Sequence, residues 1–444
     1  MSKKIVFIGA GSVTFTRNLV RDILTFPAFS DAVISLVDTS ETNLAQAKAV
    51  VEKIIEVGKY GATVQATTDR REALIGADGV LCTIAVGGYE AMRADIEIPT
   101  GYGCSINIGD TRGPSGVFRY LRTINVMLEI IKDIERICPD AIFLNYTNPM
   151  AMICRTMQEV APKVRTSGLC HSVQGTAEML ARWIGADMDD VDFVCAGINH
   201  QAFYLDYKWK GKDAYPLLRE AVAKPEIYNE EQVRNEMFKH LGYYVTESSG
   251  HNSEYNAWFR KRPDLIEKYC THGTGWNPGH DLLERMKNFS PGNRDERRVQ
   301  AFKSWMDGEI DLTRGHEYAA YIFNAIFGDK TMFEFNGNVR NWNLIDNLPE
   351  GCCVEVPVLA NKRGLSPMHV GKLPEQLAVL INTNAYCEEL AVQGSLEGDP
   401  RKIFHACLYD PLTAAVCSMQ EIQEMVDKMF EAQKEWLPQF KHFS

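Results

Sequence analysis

Residues 4–14 limit the fold more than any other stretch of the chain. Lys4-Ile5-Val6-Phe7-Ile8 is a short apolar run, Gly9-Ala10-Gly11 breaks it, and a helical pattern opens behind Ser12. A strand that turns through two glycines straight into a helix is the start of a parallel sheet with helical crossovers. The same alternation continues for about 200 residues. Strands are predicted at Lys4–Ile8, Val33–Val37, Thr63–Thr67, Val80–Ile84, Ala141–Asn145 and Val164–Gly168, with helices such as Glu41–Val57 and Val117–Ile137 between them. In the second helix Leu121, Ile124, Leu128, Ile131 and Ile134 recur at helical spacing. The expected class is α/β, with an N-terminal Rossmann-type parallel sheet.

After residue 200 the rhythm changes. Phe203–Tyr207 and Cys353–Val358 read as strands, Leu373–Leu390 and Met419–Phe430 as helices, and the polar, turn-rich Asn288–Arg298 as a surface loop. A chain of 444 residues exceeds the size at which one core stops growing. Two domains are therefore expected: residues 1–195 as a dinucleotide-binding domain, and residues 196–444 as a mixed α+β domain for substrate, metal and oligomerisation.

Composition excludes several classes. A formal charge of −11 argues against nucleic acid, which needs clustered Lys and Arg. The 12 cysteines are irregularly spaced and form no Cys-x-x-Cys, so free thiols in a reducing, cytoplasmic compartment are expected. No apolar run reaches the roughly 18 residues of a membrane span.

The glycine turn is a candidate dinucleotide site. Gly9 and Gly11 allow a pyrophosphate to approach the backbone ahead of a helix beginning near Ser12, although the third fingerprint position is Thr14. Asp38 ends the second strand, where a carboxylate binds ribose hydroxyls and repels a 2′-phosphate, so NAD is expected over NADP. Cys170 and His200 each follow a strand, in polar segments that a core would not choose. Thiolate and imidazole suit a divalent transition metal and leave positions open for a substrate. Asp110 lies in a glycine-punctuated loop ahead of a long helix, and Asn148 follows a strand end. The His251–Phe259 segment sets amide and carboxylate groups among aromatic rings, a composition that suits a sugar pocket.

Together these segments resemble glycoside hydrolase family 4, along essentially the whole chain, and most closely its α-galactosidase branch. The landmarks are Phe7-Ile8-Gly9-Ala10-Gly11-Ser12, the Asp110–Pro114 loop, Asn145–Met152, Gly168–Thr176, Cys195–His200, His251–Phe259 and Gly337–Pro349. The resemblance implies a lactate/malate dehydrogenase-like N-terminal half, NAD, and Mn²⁺ held by Cys170 and His200. It also implies hydrolysis of terminal α-galactosides such as melibiose by oxidation at C3, elimination, water addition and re-reduction, an exception to the two-carboxylate scheme. Tyr255 then matches the base at C2, and Asn148 and His200 hold the sugar, with Asn148 also beside the cofactor. His171 follows the metal cysteine where phosphoglucosidase branches carry Asp or Asn, and is the candidate general acid. Asp110 is the alternative base. Sister activities on α-glucosides, galacturonides or glucuronides stay open; a uronide needs a cation, for which Arg340 is the candidate. A metal-free dehydrogenase is the rival from another class. A homodimer or homotetramer is expected.

Overall fold

The computed structural model describes residues 2–271, 282–287 and 291–440. Among them, twelve strands form one sheet: β1 Lys4–Ile8, β2 Val33–Val37, β3 Thr63–Thr67, β4 Gly79–Cys82, β5 Ile142–Asn145, β6 Arg165–Gly168, β7 Val191–Ile198, β8 Gln201–Trp209, β9 Lys212–Asp213, β10 Phe333–Arg340, β11 Cys353–Asn361 and β12 Gly364–Pro367. Their order is β3-β2-β1-β4-β5-β6-β10-β11-β7-β8-β9, with β12 on β11. β1 to β6 run parallel, as the apolar runs and intervening helices require, and β7 to β12 pair antiparallel. The α/β class, a Rossmann-type parallel sheet followed by a mixed α+β part, is the architecture of the chain.

The two parts share that sheet. The β10–β11 hairpin is inserted between β6 and β7, with Asn338 in register with Gly168 and Glu355 with Gly197. The boundary expected at residue 195 falls inside β7. Apolar side chains of β1, β2, β4, β5, β10 and β11 are buried against helices on both faces.

The turn after β1 shows why glycine is needed there. Gly9 has φ +85°, and a Cβ would lie 2.6 Å from the Thr83 carbonyl oxygen. At Gly11 a Cβ would lie 2.5 Å from Asp38 Oδ2, which the Gly11 N–H itself approaches to 2.7 Å. One expectation fails: residues 291–298, read as loop, belong to the helix Pro291–Asp307, while 288–290 lie outside the described residues. Its Phe302 and Trp305 pack against the core, an apolar spacing that the polar first turns hide. Among the described residues no helix is long and apolar enough to cross a membrane.

A buried ion pair ties three helices together. Arg122, on Gly113–Ile137, donates to Asp95 Oδ1 at 3.0 Å, on Gly88–Gly101, and to Gln433 Oε1 at 2.9 Å, on Met419–Gln433. Both charged side chains are only 3% exposed. Arg122→Leu strands the Asp95 charge and should cost about 3–5 kcal/mol. Adding Asp95→Leu should recover most of the thermal midpoint; a double variant no more stable than the single would refute the pairing.

Candidate active site

The site collects where β5, β6 and β7 end. Asn148 follows β5 through Asn145-Tyr146-Thr147 and joins Pro149 by a cis peptide bond. Cys170 comes two residues after β6, and His200 sits in the turn between β7 and β8. The segment around Glu247 and the short helix Ser249–Glu254 closes over them and carries Tyr255 at its C-terminal end.

His200 is the hub. Its Nε2 lies 3.2 Å from Cys170 Sγ and 3.6 Å from Glu247 Oε2. On the other side of the ring, Nδ1 lies 3.0 Å from Thr111 Oγ1 and 3.2 Å from the Tyr255 hydroxyl. His200 and Glu247 both hold left-handed backbone, with φ of 62° and 66°. For residues other than glycine this costs on the order of 1 kcal/mol or more each, and it persists only where the surroundings impose it.

The charges around the hub are set by burial. Burial lowers the His200 pKa to about 4 even though Glu247 pulls it upward, so the imidazole is neutral. Burial also pushes the Cys170 thiol up, and the Glu247 and Glu355 carboxyls add to that. Burial opposes the charge on Glu247 too, but its charged surroundings, His251 first and Arg234 among them, outweigh it and hold the carboxyl below its usual range. A thiol, a carboxylate and a neutral imidazole therefore converge with ligand atoms all within 4.8 Å of one another. Metal–ligand bonds of about 2.0–2.3 Å place neighbouring ligand atoms roughly 3–4 Å apart, so this trio fits a divalent transition ion, whose charge would favour the thiolate. A second group that meets the same criterion, Asp110, His200 and His251, shares the hub.

Asp110 is delivered by a loop with a firm anchor. The backbone N–H groups of Asn107, Ile108 and Gly109 donate to the Glu254 carboxylate at 2.7, 2.9 and 2.9 Å. Thr111 then donates to Asp110 Oδ1 at 2.7 Å, and His251 Nε2 lies 3.7 Å from the same oxygen. Arg112 extends its guanidinium 4.6 Å over the Tyr255 ring and holds Glu388 at 3.0 Å and the Asn199 carbonyl at 2.6 Å. Burial raises the Tyr255 phenol well above 10, Asp110 adds to this, and Arg112 opposes it.

His171 points to a different partner. Its Nε2 is 2.8 Å from both Glu317 carboxylate oxygens, and its ring stacks on Tyr146. Burial opposes protonation of this half-exposed imidazole, but the Glu317 contact wins and raises its pKa. Among the described residues, Asn148 Oδ1 and both polar atoms of the Asn199 amide are buried without partners. Such groups point to a ligand that would satisfy them.

The dinucleotide fingerprint lines a separate cavity of about 980 Å³, with Gly9, Gly11, Ser12, Asp38 and Thr83 among its walls. The Asp38 oxygens accept from the Gly11 and Ser40 N–H groups at 2.7 and 2.9 Å. Cys170, Tyr255 and Asp110 thus gather around His200, while His171 and Asn148 follow the ends of β6 and β5. Arg340 does not join them. β10 runs antiparallel to β6, so its last residue lies at the opposite edge of the sheet. There the guanidinium binds Glu159 at 2.8 Å and the Gly351 carbonyl. Its expected place facing substrate is corrected accordingly. Glu247 and Glu317 carry no local signal in the sequence; Glu254 and Arg112 lie inside the His251–Phe259 segment and the Asp110–Pro114 loop, which do not by themselves reveal their roles.

With this geometry described, two family models account for most of the chain. The family 4 glycosyl hydrolase model matches residues 4–186, and the family 4 glycosyl hydrolase C-terminal domain matches residues 195–413. The chain belongs to family 4 of the glycosyl hydrolases. An α-galactosidase of Bacillus subtilis (strain 168) is 37% identical over 99% of this chain and 100% of its own length. An α-galactosidase of Rhizobium meliloti (strain 1021) is also 37% identical, over 99% of this chain and 90% of its own. A crystal structure of a 6-phospho-α-glucosidase from gut microorganisms, in complex with NAD and Mn²⁺, superposes with a TM-score of 0.81 over 99% of this chain and 100% of that one. At 21% identity that likeness speaks for the fold.

One buried acid beneath the cluster gives a test of this electrostatic frame. Glu355 pairs with Asn338 across β10 and β11, at 3.5 Å, and burial with nearby Glu247 raises its pKa from 4.5 to about 8. Between those values the folded chain keeps a proton that the unfolded chain loses, so stability contributed by this group falls as pH rises from 4.5 to 8. The loss amounts to roughly 3–5 kcal/mol. In metal-free buffer Glu355→Gln should flatten that part of the thermal midpoint profile; parallel wild-type and variant profiles would disprove the burial of a protonated acid here.

Proposed function

We propose that this family 4 hydrolase cleaves terminal α-galactosides and uses NAD and a divalent metal, preferably Mn²⁺, to do so. The observation that carries the reading is the His200 ring, with a thiol and a carboxylate at one nitrogen and the Tyr255 hydroxyl at the other. The α-galactosidase relatives at 37% identity support the sugar. With Arg340 engaged by Glu159 at the far edge, the uronide alternative loses its candidate cation.

Gly9, Gly11, Ser12 and Asp38 would hold the dinucleotide, and Cys170, His200 and Glu247 the metal. When bound, NAD supplies reversible hydride transfer at C3 of the sugar and the metal makes the neighbouring C2 proton acidic.

The chain's own residues supply the rest. A ligand at His200 Nε2 leaves Nδ1 as the protonated nitrogen, which donates toward the Tyr255 oxygen. That bond, together with Arg112 above the ring, favours the tyrosinate against the burial that raises its pKa. Tyr255 would then take the C2 proton. His171, whose pKa the Glu317 contact raises, would protonate the departing aglycone oxygen. Asn148, with a buried amide oxygen lacking a partner, would bind between sugar and cofactor. Glu254 fixes the loop that brings Asp110 and Thr111 to the hub. A homodimer or homotetramer is the assembly proposed, as the resemblance implies; sedimentation tests it.

Hydrolysis of 4-nitrophenyl α-galactoside should require NAD, Mn²⁺ and thiol, with no NADH accumulating, and galactose released in D₂O should carry deuterium at C2. Tyr255→Phe should lose about 10²–10⁴-fold in kcat, the usual worth of general-base catalysis, while binding NAD and Mn²⁺ as the wild type does. NADH formed in proportion to substrate would indicate a dehydrogenase, and NAD-independent release with unlabelled C2 would indicate a two-carboxylate enzyme.

A further inference from the structure

The helix Pro291–Asp307 reaches from the C-terminal half to the far wall of the fingerprint cavity. Arg297, Arg298, Ala301, Phe302 and Trp305 line that cavity opposite Gly9–Thr14. Arg298 Nη2 donates to the Gly11 carbonyl oxygen at 2.7 Å. Two residues on, the helix Val13–Leu24 begins, and its N-cap Ser12 makes no side-chain capping bond. The first N–H groups of such a helix have no intrahelical acceptor, and Val13 and Thr14 line the same cavity.

Among the described residues the charge of Arg298 has no anionic partner. A guanidinium offers five N–H donors, and the Gly11 carbonyl engages one side of it. Among the described residues no carboxylate pairs with Arg298, whereas Arg70 in the same wall is held by Glu129 and Asp133 at 3.1 and 2.8 Å. The carboxylate that lines the cavity, Asp38, takes the Gly11 and Ser40 N–H groups, at the end suited to ribose. An unpaired guanidinium beside an uncapped helix start and a glycine turn is a setting for a phosphate group. Trp305 fixes the helix against the opposite wall, its ring 5.3 Å from the Arg17 guanidinium.

We propose that Arg298 is a pyrophosphate ligand of the dinucleotide, supplied by the C-terminal half, and that the helix Pro291–Asp307 forms the outer wall of the cofactor site. This rests on the reading of the cavity as an NAD site. It adds a cationic contact that the Gly-x-Gly turn does not contain, and it makes cofactor affinity depend on residues some 290 positions away in sequence.

The test is calorimetric binding of NAD, ADP-ribose and adenosine to the full-length wild type, Arg298→Met and Arg298→Lys, without sugar or metal. Arg298→Met should weaken NAD and ADP-ribose by roughly ten- to a hundredfold, the worth of a charge-assisted hydrogen bond, and leave adenosine within about twofold. Arg298→Lys should retain an intermediate affinity, since it keeps charge but not the fork. If Arg298→Met weakens all three probes alike, Arg298 merely props the wall and the proposal fails. If NAD binds both variants as tightly as the wild type, the proposal also fails while the NAD site stands. A wild type that binds none of the three overturns the NAD reading and this inference with it.

Discussion

Everything at the strand ends depends on the neutral, buried imidazole of His200. It touches both a set of metal-type donors and a phenol, and its two nitrogens cannot both be donors while it stays neutral. Whatever occupies Nε2 therefore sets the proton on Nδ1 and, through it, the state of Tyr255. The left-handed backbone at His200 and at Glu247 is the cost of aiming both side chains at one point. Arg112, Thr111 and the loop anchored on Glu254 surround the hub and leave it little freedom.

Much of this was legible in the sequence, because the signals were local. The strands β1 to β6 agree with the structure to within a residue or two, because β1, β2, β4 and β5 are mainly apolar and buried while the more polar β3 and β6 continue the same strand–helix alternation. Cys170, His200 and Tyr255 stood out as polar or reactive residues just beyond strands or in punctuated segments. Glu247 and Glu317 did not, since their partners, His200 and His171, lie 47 and 146 residues away and no spacing encodes such contacts. Arg340 misled for a related reason. Its neighbourhood is polar and family-specific, but only the antiparallel direction of β10 decides at which edge of the sheet the side chain emerges. The Pro291–Asp307 helix was hidden by charged residues that look like a loop until their register against Phe302 and Trp305 is known.

The same sheet geometry explains how residues 30 positions apart meet. Cys170 and His200 follow β6 and β7, which do not pair with each other; the β10–β11 hairpin lies between them and is in register with each through one residue pair. Those two pairs are Asn338 with Gly168 and Glu355 with Gly197, and Asn338 and Glu355 are themselves opposite one another. The hairpin is therefore the spacer beneath the cluster, and its two buried polar residues sit under the donors they help to position.

That order also governs how the chain must be assembled during synthesis. When the first 200 residues have left the ribosome, β6 and β7 exist but the strands that join them do not, and each presents a bare hydrogen-bonding edge. The gap closes only after residue 361 has been made. Bare edges held open over so long a stretch of chain are slow to pair and prone to stick to other chains. The nascent protein thus has a built-in period of vulnerability, and the enzyme's reactive centre comes into being only when the last central strands slot home.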